Sequence, residues 1–261
     1  MIQMNIIQAV ILGIVEGVTE FLPVSSTFHL IWAAKILHLT QTDFLKLFEV
    51  AVQPGAIVAV LFIYAKDFFT NRKLFTNMVL SFVPTAIAGL VLYKVIKNLF
   101  FENMFLQLAA FAFVGLLFII LEKLWQKKKL TKNVTEMKPK EAVIIGLIQS
   151  LAVVPGVSRA GAVMVGLMGF GYSREESARY SFLIAVPTIV AAGAYDLFKM
   201  RHLLAGASSN VAYLLVGLVA SFVSAYFVVS WLLSYLKKNS LVNFGIYRIV
   251  LAIILALVFL R

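Results

Sequence analysis

The sequence predicts an all-α integral membrane protein of two inverted-topology repeats, each a re-entrant helix hairpin followed by three transmembrane helices. Three observations carry this reading. The 261 residues are 62% hydrophobic and 13% charged, with mean hydropathy +0.96, far above the roughly 45–50% apolar content of soluble domains. At about 20 residues per crossing, such a chain supplies about six to eight spans and leaves little for a water-soluble domain. Pro23 and Pro155-Gly156 interrupt two of its apolar stretches. The chain also repeats itself: an offset of 133 aligns Gln8-Ala-Val-Ile-Leu-Gly13 with Glu141-Ala-Val-Ile-Ile-Gly146, Val24-Ser25 with Val157-Ser158, and Pro54 with Pro187, without a gap. That agreement indicates duplication.

In chain order, Ile6–Leu22 is a helix that stops at Pro23. It carries Glu16 and Glu20 and lacks a basic leader, so it reads as part of the working protein and not as a targeting peptide. The turn Pro23-Val-Ser-Ser-Thr27 precedes only about ten residues before His38, too few for a second crossing. A hairpin of two half-helices meeting near the midplane fits, provided protein or a wet cavity satisfies the broken backbone. Ala142–Val154, the break at Pro155-Gly156 and Ser158–Phe170 repeat this layout. Three spans follow each hairpin: Leu47–Ala65, Leu74–Tyr93 and Met104–Leu121, then Tyr180–Tyr195, Tyr213–Leu236 and Leu241–Leu260. The division is repeat 1 over about residues 1–122, a lysine-rich loop over about 123–140, and repeat 2 over about 141–261, in one membrane domain.

A hairpin that returns to its own side plus three crossings puts the two halves in opposite orientations, with the termini on one face and the central loop on the other. Seven lysines lie between Lys123 and Lys140, and Lys66, Arg72, Lys73, Arg174, Arg179, Lys237 and Lys238 join them on that side. The opposite side keeps mainly Lys35, Lys94, Lys97, Lys199, Arg201 and Arg261. The bias assigns the central loop to the cytoplasm and accounts for the net charge of +11 without nucleic acid. The absence of cysteine excludes disulfides, zinc thiolates and thiol catalysis. Trp32, Trp125 and Trp231 read as interface anchors, Pro54, Pro84 and Pro187 as kinks, and Arg174-Glu175-Glu176 with Arg179 as a solvated helix start after Ser173.

The intramembrane polar groups are the functional signal. Glu16 and Glu20 lie one turn apart on one helix face, and two like charges in hydrocarbon need a divalent cation, a basic partner such as Arg159, or protonation. Ser25, Ser26 and Thr27 sit where they can cap the second half-helix or, with Ser158 and Arg159, bind phosphate. His29 follows a turn later, close enough to the acids and hydroxyls to transfer a proton or act as nucleophile. Pro155-Gly-Val-Ser158-Arg159 places a hydroxyl and a guanidinium at a helix start, suited to phosphate, or Arg159 neutralises the glutamates. Glu49 and Gln53, again one turn apart, form a second polar shell. Together these groups describe phosphate chemistry on a lipid.

The runs Glu16-Gly-Val-Thr-Glu20-Phe-Leu-Pro-Val-Ser-Ser26-Thr-Phe-His29 and Pro155-Gly-Val-Ser-Arg159 resemble the two signature motifs of the undecaprenyl-diphosphate phosphatases of the bacitracin-resistance type, and Phe48-Glu-Val-Ala-Val-Gln53 and Gly171–Phe182 also resemble that family. The likeness implies a hydrolase of the bacterial plasma membrane. It would convert undecaprenyl diphosphate to the monophosphate carrier used in cell-wall glycan synthesis, confer bacitracin resistance and open its site to the outer face. It also implies Mg²⁺ or Ca²⁺ on Glu16 and Glu20, nucleophile or acid/base roles for Ser26 and His29, diphosphate binding by Ser158 and Arg159, and allows assembly as a homodimer. Phe28 stands where the family has Gly, and Ala160 and Val163 where it has Ser and Thr. The competing class is a polyprenyl-phosphate transporter or flippase, for which broken helices in inverted repeats are equally suited. A flippase has no need of a nucleophile beside paired acids, and a cation channel explains neither Arg159 nor the hydroxyls.

Overall fold

The computed structural model describes residues 4–100, 103–204 and 208–259, with side chains outside 93–100. The side chains of Lys94 and Lys97, and Leu260 and Arg261, fall outside the described residues. What is described is helical and contains no β-strand: α1 (Ile6–Thr19), α2 (Ser26–Ile36), α3 (Asp43–Ala51), α4 (Gln53–Thr70), α5 (Arg72–Phe100), α6 (Met104–Leu124), α7 (Pro139–Ser150), α8 (Arg159–Gly169), α9 (Arg174–Lys199), α10 (Ser208–Leu236) and α11 (Val242–Phe259). Six segments are long and apolar enough to cross a membrane: Asp43–Thr70, Arg72–Leu92, Met104–Leu124, Arg174–Lys199, Ser208–Leu236 and Val242–Phe259. The protein is therefore a multi-pass membrane protein. The four remaining helices have 14, 11, 12 and 11 residues. At 1.5 Å per residue they reach at most about 21 Å, short of a hydrocarbon core of about 30 Å.

Local chemistry sets the ends of these elements. Asn5 caps α1 in a reciprocal box, its side chain accepting from Gln8 N at 2.9 Å while Gln8 Oε1 accepts from Asn5 N at 2.9 Å. The first span of repeat 1 begins earlier than its apolar pattern, at Asp43, because the Thr42 hydroxyl accepts from Leu45 N at 3.2 Å. It breaks between Ala51 and Gln53, where Pro54 in the first turn of α4 has no N–H for the preceding turn. Pro84 and Pro187 lie within helices that continue through them.

Lipid gives helices no hydrophobic reason to associate, so close approach and hydrogen bonds must hold them together. Glycine supplies the approach. A Cβ at Gly115 of α6 would stand 2.8 Å from the Gly245 carbonyl of α11, and one at Gly245 would stand 2.6 Å from the Gly115 carbonyl. On the seam of α5 and α7, Gly146 faces the Ser81 backbone. There Asn77, Ser81 and Thr85, successive turns of α5, donate to the carbonyls of Met137, Ala142 and Gly146 at 3.2, 2.7 and 2.9 Å.

The packing crosses between the halves. Helix α1 of the first half lies on α10 of the second, and α7 of the second lies on α5 of the first. Likewise α4 packs on α10 and α9 on α5, while α6 meets α11 and α4 meets α9. Both halves contribute to the main cluster, from Phe21, Ala56 and Val60 to Leu167, Phe182 and Val229, while a smaller cluster around Leu12, Leu30, Leu47 and Phe48 comes almost wholly from the first half.

The lysine-rich stretch is docked. Thr131 N and Lys132 N donate to the Gly171 carbonyl at 3.1 and 3.0 Å, Ser173 N returns to the Lys132 carbonyl at 3.1 Å, and Val134 and Met137 are buried. Burial alone would raise the Glu141 carboxyl. The Lys138 backbone N–H, the Tyr172 hydroxyl and the Lys132 ammonium outweigh it and hold the group below the ordinary carboxylate range. The start of α9 is not merely solvated, because ion pairs draw it inward: Arg174 clamps buried Glu122, with Nε–Oε1 at 2.8 Å and Nη2–Oε2 at 2.5 Å, and Arg179 meets Asp67 at 2.7 Å. Trp32 likewise departs from the expected interface position. It is buried against Phe28 and Phe259, whereas Trp231 is half exposed.

Gly146→Leu is expected to lower the thermal midpoint in detergent, costing about 1–3 kcal/mol through a clash with backbone that cannot yield. Gly89→Ala, at a site where a Cβ meets nothing within 4 Å, should leave the midpoint in place.

Candidate active site

Both helix interruptions share an uncommon backbone. Ser25 has φ 67° and Ser158 has φ 72°, left-handed values that a side chain rarely adopts, at positions 133 apart. Such strain persists where the surroundings fix it and gathers at functional sites. The conformation turns the Ser25 carbonyl toward the first turn of α2, where it accepts from His29 N at 3.2 Å and faces His29 Nδ1 at 2.8 Å.

This geometry changes the expected role of the hydroxyls. Ser25 is the residue before α2, but its side chain caps nothing. Ser26, the first helical residue, donates its hydroxyl to Glu20 Oε2. Ser26 lies one residue inside the helix, past the capping position, and its hydroxyl serves the carboxyl group. Ser158 does cap α8, its Oγ accepting from Gly161 N at 3.2 Å. Thr27 follows Ser26, half-buried.

Glu20 connects the two hairpins. Its second oxygen, Oε1, receives Arg159 Nη2 at 2.8 Å, with side chains 6% and 12% exposed. Arg159 Nη1 continues to the Ser181 carbonyl of α9 at 2.8 Å. Glu16, one turn earlier, is wholly buried, and neither of its carboxyl oxygens has a hydrogen-bond partner among the described residues. Of the two options that pair the acids, then, Arg159 serves Glu20 alone. Glu49 is buried with Oε1 unpartnered, and Gln53 Nε2 donates to the Glu49 carbonyl at 3.3 Å, at the break between α3 and α4.

Two site residues have no counterpart in the sequence motifs, and both lie on α11. Arg248 is completely buried and donates only to carbonyls: Nε to Phe111 at 3.0 Å, Nη1 to Pro23 at 3.0 Å, and Nη2 to Gly156. Pro23 and Gly156 are again 133 apart, and one guanidinium holds both turns. Its charge also lies 4.4 Å from the Phe111 ring and 5.4 Å from Phe118. Tyr247, next in the chain, places its hydroxyl 2.8 Å from His29 Nε2. An arginine within an otherwise apolar span was the available signal for the first of these.

The departures from the family pattern are packing residues here. Phe28 stacks on Phe111 with centroids 3.9 Å apart and planes 4° apart. Ala160 and Val163 are buried in the main apolar core.

The fold and site define a polytopic membrane protein that gathers an acid pair, a hydroxyl, an imidazole and guanidinium groups where two interrupted helices meet. The chain belongs to the family described as Bacitracin resistance protein BacA, whose model matches residues 9–254. Relatives carry the name Undecaprenyl-diphosphatase. That of Sulfurihydrogenibium sp. (strain YO3AOP1) is 44% identical over 252 residues, 96% of this chain and 98% of the relative. Those of Aquifex aeolicus and Persephonella marina are 40% and 42% identical, covering 97% of this chain and 98% and 99% of theirs.

Arg248→Lys keeps the charge but cannot reach three carbonyls. It should destabilise the protein by on the order of 3 kcal/mol by leaving buried acceptors unpaired. Thermal unfolding in detergent, set beside phosphate release, measures both the stability and the site it supports.

Proposed function

We propose that the chain hydrolyses undecaprenyl diphosphate to undecaprenyl phosphate and inorganic phosphate, recycling the lipid carrier for cell-wall glycan synthesis and so giving resistance to bacitracin. The observation that carries the chemistry is one connected chain of contacts: the Ser26 hydroxyl donates to Glu20, and Glu20 is held by Arg159. A nucleophile, the base that takes its proton and a cation for phosphoryl oxygens thus stand together.

In the first step, Ser26 Oγ attacks the terminal phosphorus and Glu20 Oε2 takes the hydroxyl proton. The bond from that phosphorus to the bridging oxygen breaks, and the electron pair leaves on the lipid monophosphate. Arg159 steadies the charge on the transferring group. In the second step His29 Nε2 accepts a proton from water, which attacks the phosphoserine, and Ser26 departs with the proton from Glu20. Inorganic phosphate is released.

Glu16 and Glu20 fit a hard divalent cation such as Mg²⁺ or Ca²⁺. Glu16 offers two buried, unpartnered oxygens, and Glu20 keeps lone pairs beyond the two it uses. No group of three His, Cys, Asp or Glu suited to a metal occurs among the described residues, so phosphate oxygens and water would complete the shell, as Mg²⁺ commonly requires. Bound there, the cation would neutralise charge on the diphosphate.

Inverted orientation of the repeats, with hairpins entering from opposite faces, is supported by the reciprocal packing of α1 on α10 and α7 on α5 and by the shared backbone of Ser25 and Ser158. The lysine bias then puts the central loop in the cytoplasm and the termini and site opening outside.

The test is phosphate release from a polyprenyl diphosphate by purified protein with Mg²⁺ or Ca²⁺, with excess chelator, and for Glu20→Gln, His29→Ala and Arg159→Ala. Release should require the cation, and each variant should lose at least about a hundredfold. Lipid binding without release under every condition would instead point to transport.

A further inference from the structure

His29 is held from two sides, and only one is accounted for. The Ser25 carbonyl accepts, so Nδ1 carries the proton and Nε2 presents a lone pair. That lone pair is met by the Tyr247 hydroxyl at 2.8 Å. The two rings are nearly parallel, 6° between planes with centroids 5.8 Å apart. Phe28 and Phe111 touch the imidazole only edge-on, each at 5.8 Å, and offer it no hydrogen bond.

The position of Tyr247 gives this contact its meaning. Its side chain is 43% exposed on the outside of α11, next to Ile246 at 48% and Val250 at 49%, so it faces the acyl chains. Helices α2 and α11 meet here through paired rings, His29 with Tyr247 and Trp32 with Phe259, the latter at 5.0 Å. A polar imidazole at such a seam needs a partner, and tyrosine brings one on an apolar body that lipid tolerates.

We propose that Tyr247 is the positioning residue of His29, fixing the imidazole from the bilayer-facing side so that Nε2 points where the reacting water or phosphoryl oxygen arrives. The proposal rests on the hydrolase reading above. Substrate or water takes over the bond to Nε2 during turnover, and the tyrosine recovers it afterwards. Tyr247 contacts neither the phosphorus nor the attacking water; it acts through His29.

Tyr247→Phe keeps the ring stack and removes only the hydroxyl. On a polyprenyl diphosphate it should lower kcat by about tenfold with KM within about twofold, and in a His29→Ala background it should cost nothing further. An independent readout is the ¹⁵N resonance of the His29 ring. The chain has three histidines, so labelling in a His38→Gln, His202→Gln background isolates it, and Tyr247→Phe should shift the Nε2 signal. An unmoved Nε2 signal, an unchanged kcat, or an equal loss in the His29→Ala background overturns the proposal. If the Nε2 signal moves while the parent protein releases no phosphate, the hydrolase reading is what falls, and the Tyr247 contact stands.

Discussion

A positive charge buried among carbonyl groups holds this protein's centre. Wherever a helix is interrupted inside a membrane, carbonyls are left without partners and no water is at hand to supply them. The Arg248 guanidinium answers two such interruptions, at Pro23 and Gly156, while a third bond ties it to Phe111 of α6. Burying an arginine is costly, and here the cost is offset by dense hydrogen bonding and by the faces of Phe111 and Phe118. Phe28 adds its ring to Phe111, so the aromatic packing and the turns support one another.

With the turns fixed, the candidate site draws on both halves of the chain. The first supplies Glu16, Glu20, Ser26 and His29, and the second supplies Arg159. The division is visible at matching positions: Glu16 corresponds to Gln149, which is buried and donates to Thr85 and Thr188 at 2.8 and 3.3 Å. Ser25 and Ser158 share the left-handed conformation, while the acids lie in the first half and Arg159 in the second.

The sequence disclosed the features that depend on spacing. Prolines inside short apolar runs marked the interrupted helices, and the four-residue interval of Glu16 and Glu20 put two acids on one face. What it hid depends on backbone direction or on partners remote in the chain. Arg248 stood out as an arginine in an apolar span, but it bonds to carbonyls, which every residue has, so no residue type announced its partners. Tyr247 in an apolar span looks like any interfacial aromatic until the fold brings it to His29. Ser25 looked like a cap because serine commonly is one, yet of the two left-handed serines only Ser158 caps its helix, and Ser26 gives its hydroxyl proton to Glu20. Trp32 resembled an interface anchor, but the packing of α2 against Phe259 draws it inside.

Chain order gives the Arg248 contacts a temporal meaning. During synthesis, the turns at Pro23 and Gly156 and the Phe111 carbonyl all emerge before the residue that binds them. Glu122 is in a similar position: it waits for Arg174 and then for the Leu241 N–H, which it accepts at 2.8 Å. Domains generally gain structure as they emerge, but here the earlier helices can insert without being locked. Because α11 carries Arg248, the turns at Pro23 and Gly156 gain their shared donor only once that helix is in place. The guanidinium therefore acts as a late fastening for turns made long before it.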